Sequence, residues 1–111
     1  METNKNTPIL IFSTAATYKE SKFLAKILLK DKIAACVNIV PKTTSLYHWE
    51  GNIREDNEYM IIIKTLKINE IDVYSQLREH HSYEVPEIIT VTLSNCDLKY
   101  HEWIKSIVSG N

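Results

Sequence analysis

Apolar residues run unbroken from Ile9 to Phe12, between polar flanks, and open the pattern of the chain. Residues 8–14 are predicted as a strand covered on both faces or hidden by a partner. Thr17-Tyr18-Lys19-Glu20 matches a capping box, in which threonine and glutamate each satisfy a free backbone donor. The helix it opens is predicted to run to about residue 32, with Phe23, Leu24, Ile27 and Leu28 on one stripe. Residues 34–40 alternate as a second strand, with Ala35, Val37 and Ile39 on one face and Cys36 and Asn38 on the other. Pro41 interrupts the backbone donors, so this strand reads as broken. Residues 46–50 resume a strand-like pattern with Tyr47 and Trp49 on one face, and Gly51-Asn52 reads as a hairpin turn of the II′ type. A charged segment, 53–58, precedes a strand over 59–65. A helix is expected over 67–81 with Ile71, Tyr74 and Leu77 or Arg78 at helical spacing. Residues 87–93 form the last predicted strand, where Ile89, Val91 and Leu93 alternate with Thr90 and Thr92. Asp97 can cap a final helix whose stripe is Tyr100, Trp103, Ile104, Ile107 and Val108.

The order is β-α-β-β-α-β plus a C-terminal helix. That order predicts an α+β, ferredoxin-like split βαβ sandwich with an antiparallel sheet and a protruding hairpin. Helices cover one face of such a sheet. The other is expected to mix Cys36, Asn38, Thr90 and Thr92 with alanines and isoleucines, and no spare layer covers it. A semi-apolar face of this kind points to self-association. An arm carrying Tyr47 and Trp49 is marginal alone. It gains a purpose on another subunit, where aromatic anchors are enriched, although both rings could instead fold back on their own core.

A length of 111 residues fits one domain, 1–111, with 1–7 expected to be a flexible N-terminus. A domain of this size buries roughly two-thirds of its unfolded surface. A formal net charge of -1 leaves no footprint for a nucleic-acid backbone. No apolar run reaches membrane-span length, so a cytoplasmic setting is expected. The cysteines, Cys36 and Cys96, lack metal-finger spacing and read as small buried hydrophobes. The glycines are Gly51 and Gly110, too few for any glycine-rich phosphate loop. Arg54 and Arg78 are the only arginines, and no nucleophile accompanies the histidine–carboxylate pairs that His81 could form with Glu84 or Glu87, so no enzyme activity is expected.

The densest chemistry lies in His80-His81-Ser82-Tyr83-Glu84-Val85-Pro86-Glu87, at a helix–strand junction. Imidazole and carboxylate suit copper or zinc, with Cu(II) generally favoured among first-row divalent ions. Equally, His80 and His81 could cap the helix C-terminus, leaving Glu84 and Glu87 solvated or paired.

Together with Ala34-Ala35-Cys36-Val37-Asn38, Trp49-Glu50-Gly51, Lys64-Thr65 and the Tyr100, Trp103, Ile104 pattern, this stretch resembles the CutA family of divalent-cation tolerance proteins. The similarity runs from Ile9 to Val108. It implies a homotrimer architecturally related to the PII signalling proteins, a response to metal ions, and binding of copper or another divalent cation. Partner proteins, known for animal relatives, become an alternative role as a scaffold or anchor. The resemblance points to His80 and Glu87 as metal ligands, with Ser13 standing where bacterial relatives have a cysteine; His81 and Glu84 are further neighbours. Serine is a poor replacement for a thiolate toward copper, so the ligand set is incomplete by the family pattern. Ser82 also replaces the family proline, which loosens that backbone. Tyr47, Trp49, Tyr83 and Pro86 are the expected trimer contacts.

Overall fold

The computed structural model describes residues 4–108. Its elements are β1 (Pro8–Ala15), α1 (Tyr18–Lys30), β2 (Cys36–Trp49), β3 (Asn52–Leu66), a short 3-10 turn (Lys67–Asn69), α2 (Glu70–His80), β4 (Ile89–Thr92) and α3 (Leu98–Val108). The four strands form one antiparallel sheet in the order β2-β3-β1-β4. No helix among the described residues is long and apolar enough to cross a membrane.

The core lies between the sheet and the helices. Ile9 and Ile11 from β1 and Ile61 and Ile63 from β3 pack against Leu24 and Leu28 of α1 and Val73 and Leu77 of α2. Each fully buried side chain of this size contributes about 1.5–3 kcal/mol. A satellite cluster joins Ala35 and Leu66 to Ile104 and Val108 of α3. Buried polar links tie the two together: Thr65 Oγ1 donates to the Ile33 carbonyl at 2.7 Å, and Asn69 Nδ2 donates to the Val108 carbonyl at 3.2 Å.

Several local expectations change. Thr17 caps α1, accepting the Glu20 N–H at 3.0 Å, but Glu20 does not reach back to complete the box; its carboxylate goes to Ser82 instead. Helix α1 stops at Lys30 because Lys32 takes a left-handed backbone (φ 57) and closes a Schellman turn, with Ile33 N–H bonded to the Leu28 carbonyl at 3.1 Å. Ser21, Leu24, Ala25 and Leu28 form its buried stripe, while Phe23 is half exposed. In α2, likewise, Val73 and Leu77 face the core and Ile71 faces solvent.

The second strand is not broken. It runs 14 residues through Pro41, absorbing it in a bulge between Val40 and Thr43, where Lys42 is left-handed (φ 60). The charged segment 53–58 is also strand and pairs with 43–48 to build a long arm. Trp49 pairs with Asn52, so the turn residues are Glu50 and Gly51, both with positive φ (50 and 80). That is a type I′ turn rather than II′.

The register also revises the open sheet face. Thr90 pairs with Ile11, whose side chain faces the helices, and its hydroxyl meets Tyr74 of α2 at 2.8 Å. Thr90 and Thr92 thus belong to the helix side, and Ile89 and Val91 turn outward beside Phe12 and Leu10. With Val40, Met60 and Ile62 from β2 and β3, the uncovered face is mainly apolar. Of the expected flexible N-terminus, residues 1–3 lie outside the described residues. Asn4 to Thr7 form a turn whose Lys5 and Thr7 carbonyls accept Ile68 N–H and Lys67 N–H at 2.9 and 2.8 Å.

Candidate functional site: a cleft beneath the hairpin arm

The peptide from Ser82 to Ile88 has no regular structure, so side chains must hold it. His81 does most of this. Its ring is fully buried. Nε2 donates to the Thr14 carbonyl at 2.6 Å, and Nδ1 accepts the Tyr83 N–H at 3.0 Å. Both nitrogens are therefore used within the chain, which leaves no lone pair for a metal. Ser82 N–H donates to Glu20 on α1 at 2.8 Å. Tyr83 stacks on His81 (centroids 4.8 Å apart) and its hydroxyl donates to Glu58 of β3 at 2.8 Å.

These bonds carry residues 84–87 along the base of the arm and enclose a cleft of about 510 Å³. Its walls bring together most of the residues expected to bind or to make contacts: Tyr47 and Trp49 from the arm, and Tyr83, Glu84, Pro86 and Glu87 from the loop. Thr14, His48, Arg54 and Glu58 join them and were not expected. No hydrophobic alternation in 53–58 marks Arg54 and Glu58; it is the pleat of β3 that places 54, 56 and 58 on one side of the strand. Tyr47 pairs with Arg54 across the arm and donates its hydroxyl to Asp56.

Two phenols are held in the protonated state by this arrangement. Burial, followed by the hydrogen bond to Glu58, pushes the Tyr83 phenol far above the ordinary tyrosine value. The hydrogen bond to Asp56 is the leading cause of a smaller rise at Tyr47. The cleft is thus a neutral-phenol, carboxylate-rich wall, without a nucleophile next to a base.

The expected metal ligands do not converge. Ser13 faces the helix layer, fully buried, with no partner for its hydroxyl among the described residues. Glu87 lies on the other side of β1, in the cleft with Thr14. His80 sits at the exposed end of α2, edge-on to Phe23 (5.9 Å, 82°) and 3.5 Å from the Glu79 carboxylate. Among the described residues no three His, Cys, Asp or Glu side chains gather as a metal set. A single chain does not fit a closed metal site. Cys36 and Cys96 are free and half-buried.

The geometry defines a small α+β protein with a four-stranded antiparallel sheet, a long hairpin arm and a cleft at the arm's base. A family model described as CutA1 divalent ion tolerance protein matches residues 9–107. The chain belongs to that family. It is 37% identical over 106 residues to the chloroplastic protein CutA of Arabidopsis thaliana, covering 95% of this chain and 58% of that relative. The chain therefore spans little more than half the length of its plant relatives. It is 30% identical to the divalent-cation tolerance protein CutA of Escherichia coli, covering 95% of this chain and 94% of that one. Among solved structures, CutA1 from Oryza sativa superposes with a TM-score of 0.90 at 35% identity, covering 96% of this chain and 99% of that chain. A periplasmic divalent cation tolerance protein CutA from Archaeoglobus fulgidus superposes with a TM-score of 0.89 at 33% identity, covering 92% and 99%. The family is named for tolerance of divalent ions and not for a reaction.

Proposed function

We propose that the chain is a non-catalytic divalent-cation response protein that works as a PII-like homotrimer of ferredoxin-like subunits. The strand order β2-β3-β1-β4, with α1 and α2 on one side, supports the ferredoxin-like reading. One observation carries the assembly: the face opposite α1 and α2 presents Leu10, Phe12, Val40, Met60, Ile62, Ile89 and Val91, of which Val40, Ile89 and Val91 are 41%, 51% and 45% exposed in the single chain. An apolar surface of that continuity belongs at a subunit contact. The arm and the cleft border it through Met60 and Thr14, which makes Tyr47, Trp49, Tyr83 and Pro86 contact residues of the same assembly.

The ligand of this assembly is Cu(II) or another divalent cation, held between subunits with His80 and Glu87 as donors. The separation of His80, Glu87 and Ser13 within one chain favours a shared site over an internal one. Ser13, His81 and Glu84 contribute less: Ser13 is buried, His81 has both nitrogens bonded, and Glu84 is an exposed wall of the cleft. A cytoplasmic setting, supported by the free thiols of Cys36 and Cys96, completes the reading.

Native mass spectrometry with and without Cu(II) tests it. The expected result is a trimer that Phe12→Asp converts to monomer, and stoichiometric copper that His80→Ala abolishes. A monomeric wild type overturns the assembly. A trimer that takes up no copper or other divalent cation overturns the metal ligand and moves the role to a scaffold for a protein partner.

A further inference from the structure

The outer side of α1 carries a second concave surface, separate from both the cleft and the open sheet face. We propose that it is a docking groove for an acidic segment of a partner protein, one with an apolar side chain among its carboxylates. Lys19, Lys22, Lys26 and Lys30 follow one another at steps of three and four residues. At 1.5 Å per residue they form a row about 16 Å long on one side of the helix. Tyr18 and Phe23, 52% and 50% exposed, wall a groove of about 390 Å³ together with Lys19, Lys22 and Lys26. The Lys22 ammonium lies 5.3 Å from the Tyr18 ring centroid, which draws its charge over the groove wall.

The row is electrostatically unspent. None of its lysines is ion-paired among the described residues. The two acids next to the row in sequence are engaged elsewhere: Glu20 turns away to Ser82 and His81, and Asp31 accepts from Gln76 of α2. In a chain whose formal net charge is -1, such a row is a local excess of positive charge.

Two features select the occupant. Cations at regular steps call for anions at a matching repeat. An extended peptide places same-side side chains about 6.6–6.8 Å apart, close to the roughly 6 Å axial rise between lysines four residues apart. The groove between them is built of aromatic rings and lysine methylenes, which suit an apolar side chain. A bare polyanion satisfies the first feature and not the second. A bilayer meets the lysines as a plane and leaves the groove unfilled.

Fluorescence anisotropy tests the proposal, using the full chain and a short fluorescein-labelled peptide with alternate glutamates and one central leucine. Saturable binding is expected at low ionic strength, weakening as salt screens it. The double variant Lys22→Glu, Lys26→Glu is expected to weaken it by about tenfold or more, since two attractions become repulsions. Phe23→Ser keeps every charge and is expected to weaken it too, as is leucine-to-serine replacement in the peptide. Circular dichroism confirms that the variants fold. Affinity unchanged in the double-lysine variant overturns the groove. Affinity unchanged in Phe23→Ser and with the serine peptide overturns the apolar component. Binding to phosphatidylserine vesicles but not to the peptide assigns the surface to a membrane and overturns the proposal.

Discussion

Replacing Tyr83 by phenylalanine isolates the bond that holds the cleft loop to the sheet. The substitution keeps the ring, and with it the contact to His81 at 4.8 Å between centroids. It deletes the hydroxyl that donates to Glu58 at 2.8 Å. Glu58 is only 7% exposed, so water cannot freely replace that donor. A hydrogen bond to a charged group is worth about 1.5–3 kcal/mol, and a buried acceptor left without its donor costs a similar amount. Taking about 2 kcal/mol as the loss, the change is a substantial share of the roughly 5–15 kcal/mol that stabilises a small domain. For a chain of this size it corresponds to a fall in Tm of about 8 °C. Urea unfolding at fixed protein concentration measures it, because the proposed association would also contribute to apparent stability. Glu58→Gln and the double variant complete a thermodynamic cycle, with a coupling of about 1–2 kcal/mol expected between the two positions. A Tyr83→Phe variant within about 0.5 kcal/mol of wild type, or two additive substitutions, would refute the reasoning, since either means the phenol is not holding the carboxylate. The same pair sets an alkaline signature. The folded-state phenol titrates above its unfolded value of 10.0. Its contribution is thus fully present below that value and is lost as pH rises past it, so Tyr83→Phe is expected to flatten the decline in stability at high pH.

Three further substitutions probe the scaffold. Lys32→Gly is expected to stabilise the fold by about 0.5–1 kcal/mol: the left-handed backbone at φ 57 costs a non-glycine residue about 1–2 kcal/mol, partly offset by the looser unfolded chain; a lower urea midpoint would count against it. Ser13→Ala removes a fully buried hydroxyl that lacks a partner among the described residues and is expected to raise stability by about 1 kcal/mol in the same assay, where a loss would show that the hydroxyl is satisfied. Asn69→Ala cuts the link from Thr65 to the end of α3 and is expected to cost about 1–3 kcal/mol, with faster amide exchange in α3 than elsewhere; uniform exchange would refute a local role.

Which parts of this architecture could be read from the chain follows from where burial was strong. Strand β1, the cap at Thr17, the 59–65 segment and the cap at Asp97 all lie where apolar periodicity or a capping side chain makes one conformation clearly preferable, and each is found in the structure. Phe23 and Ile71 were misplaced because an apolar residue on a helix is not obliged to face the core; the groove on α1 takes one of them. The arm itself was expected from 46–52, but its second strand was hidden for the opposite reason. Residues 53–58 pair edge to edge with 43–48 in solvent, so neither face is apolar and no alternation of hydrophobicity marks them as strand. Only the ladder itself, invisible in a pattern of side chains, sets their conformation. The cleft depends on that arm, which is why Arg54 and Glu58 were missed while Tyr83 and Glu87 were found.

The register of β4 has the largest functional consequence. A strand of only Ile89–Thr92 carries two β-branched hydrophobes and two threonines, and composition does not say which pair faces the helices. The pairing of Thr90 with Ile11 decides it, and the Tyr74 hydroxyl on Thr90 holds the choice from the helix side. A slip of one residue would exchange the two faces. It would bury Ile89 and Val91 under α2, strip Tyr74 of its partner and leave two hydroxyls on the open surface. The chain instead pays for apolar exposure on that surface with a polar contact inside. A protein acting alone gains nothing from this arrangement, because it desolvates a hydroxyl pair and leaves isoleucine and valine in water. It becomes favourable when another copy covers Ile89 and Val91, which is why the partly buried Thr90, turned to the helix side and bonded to Tyr74, argues for assembly alongside the hydrophobes beside it.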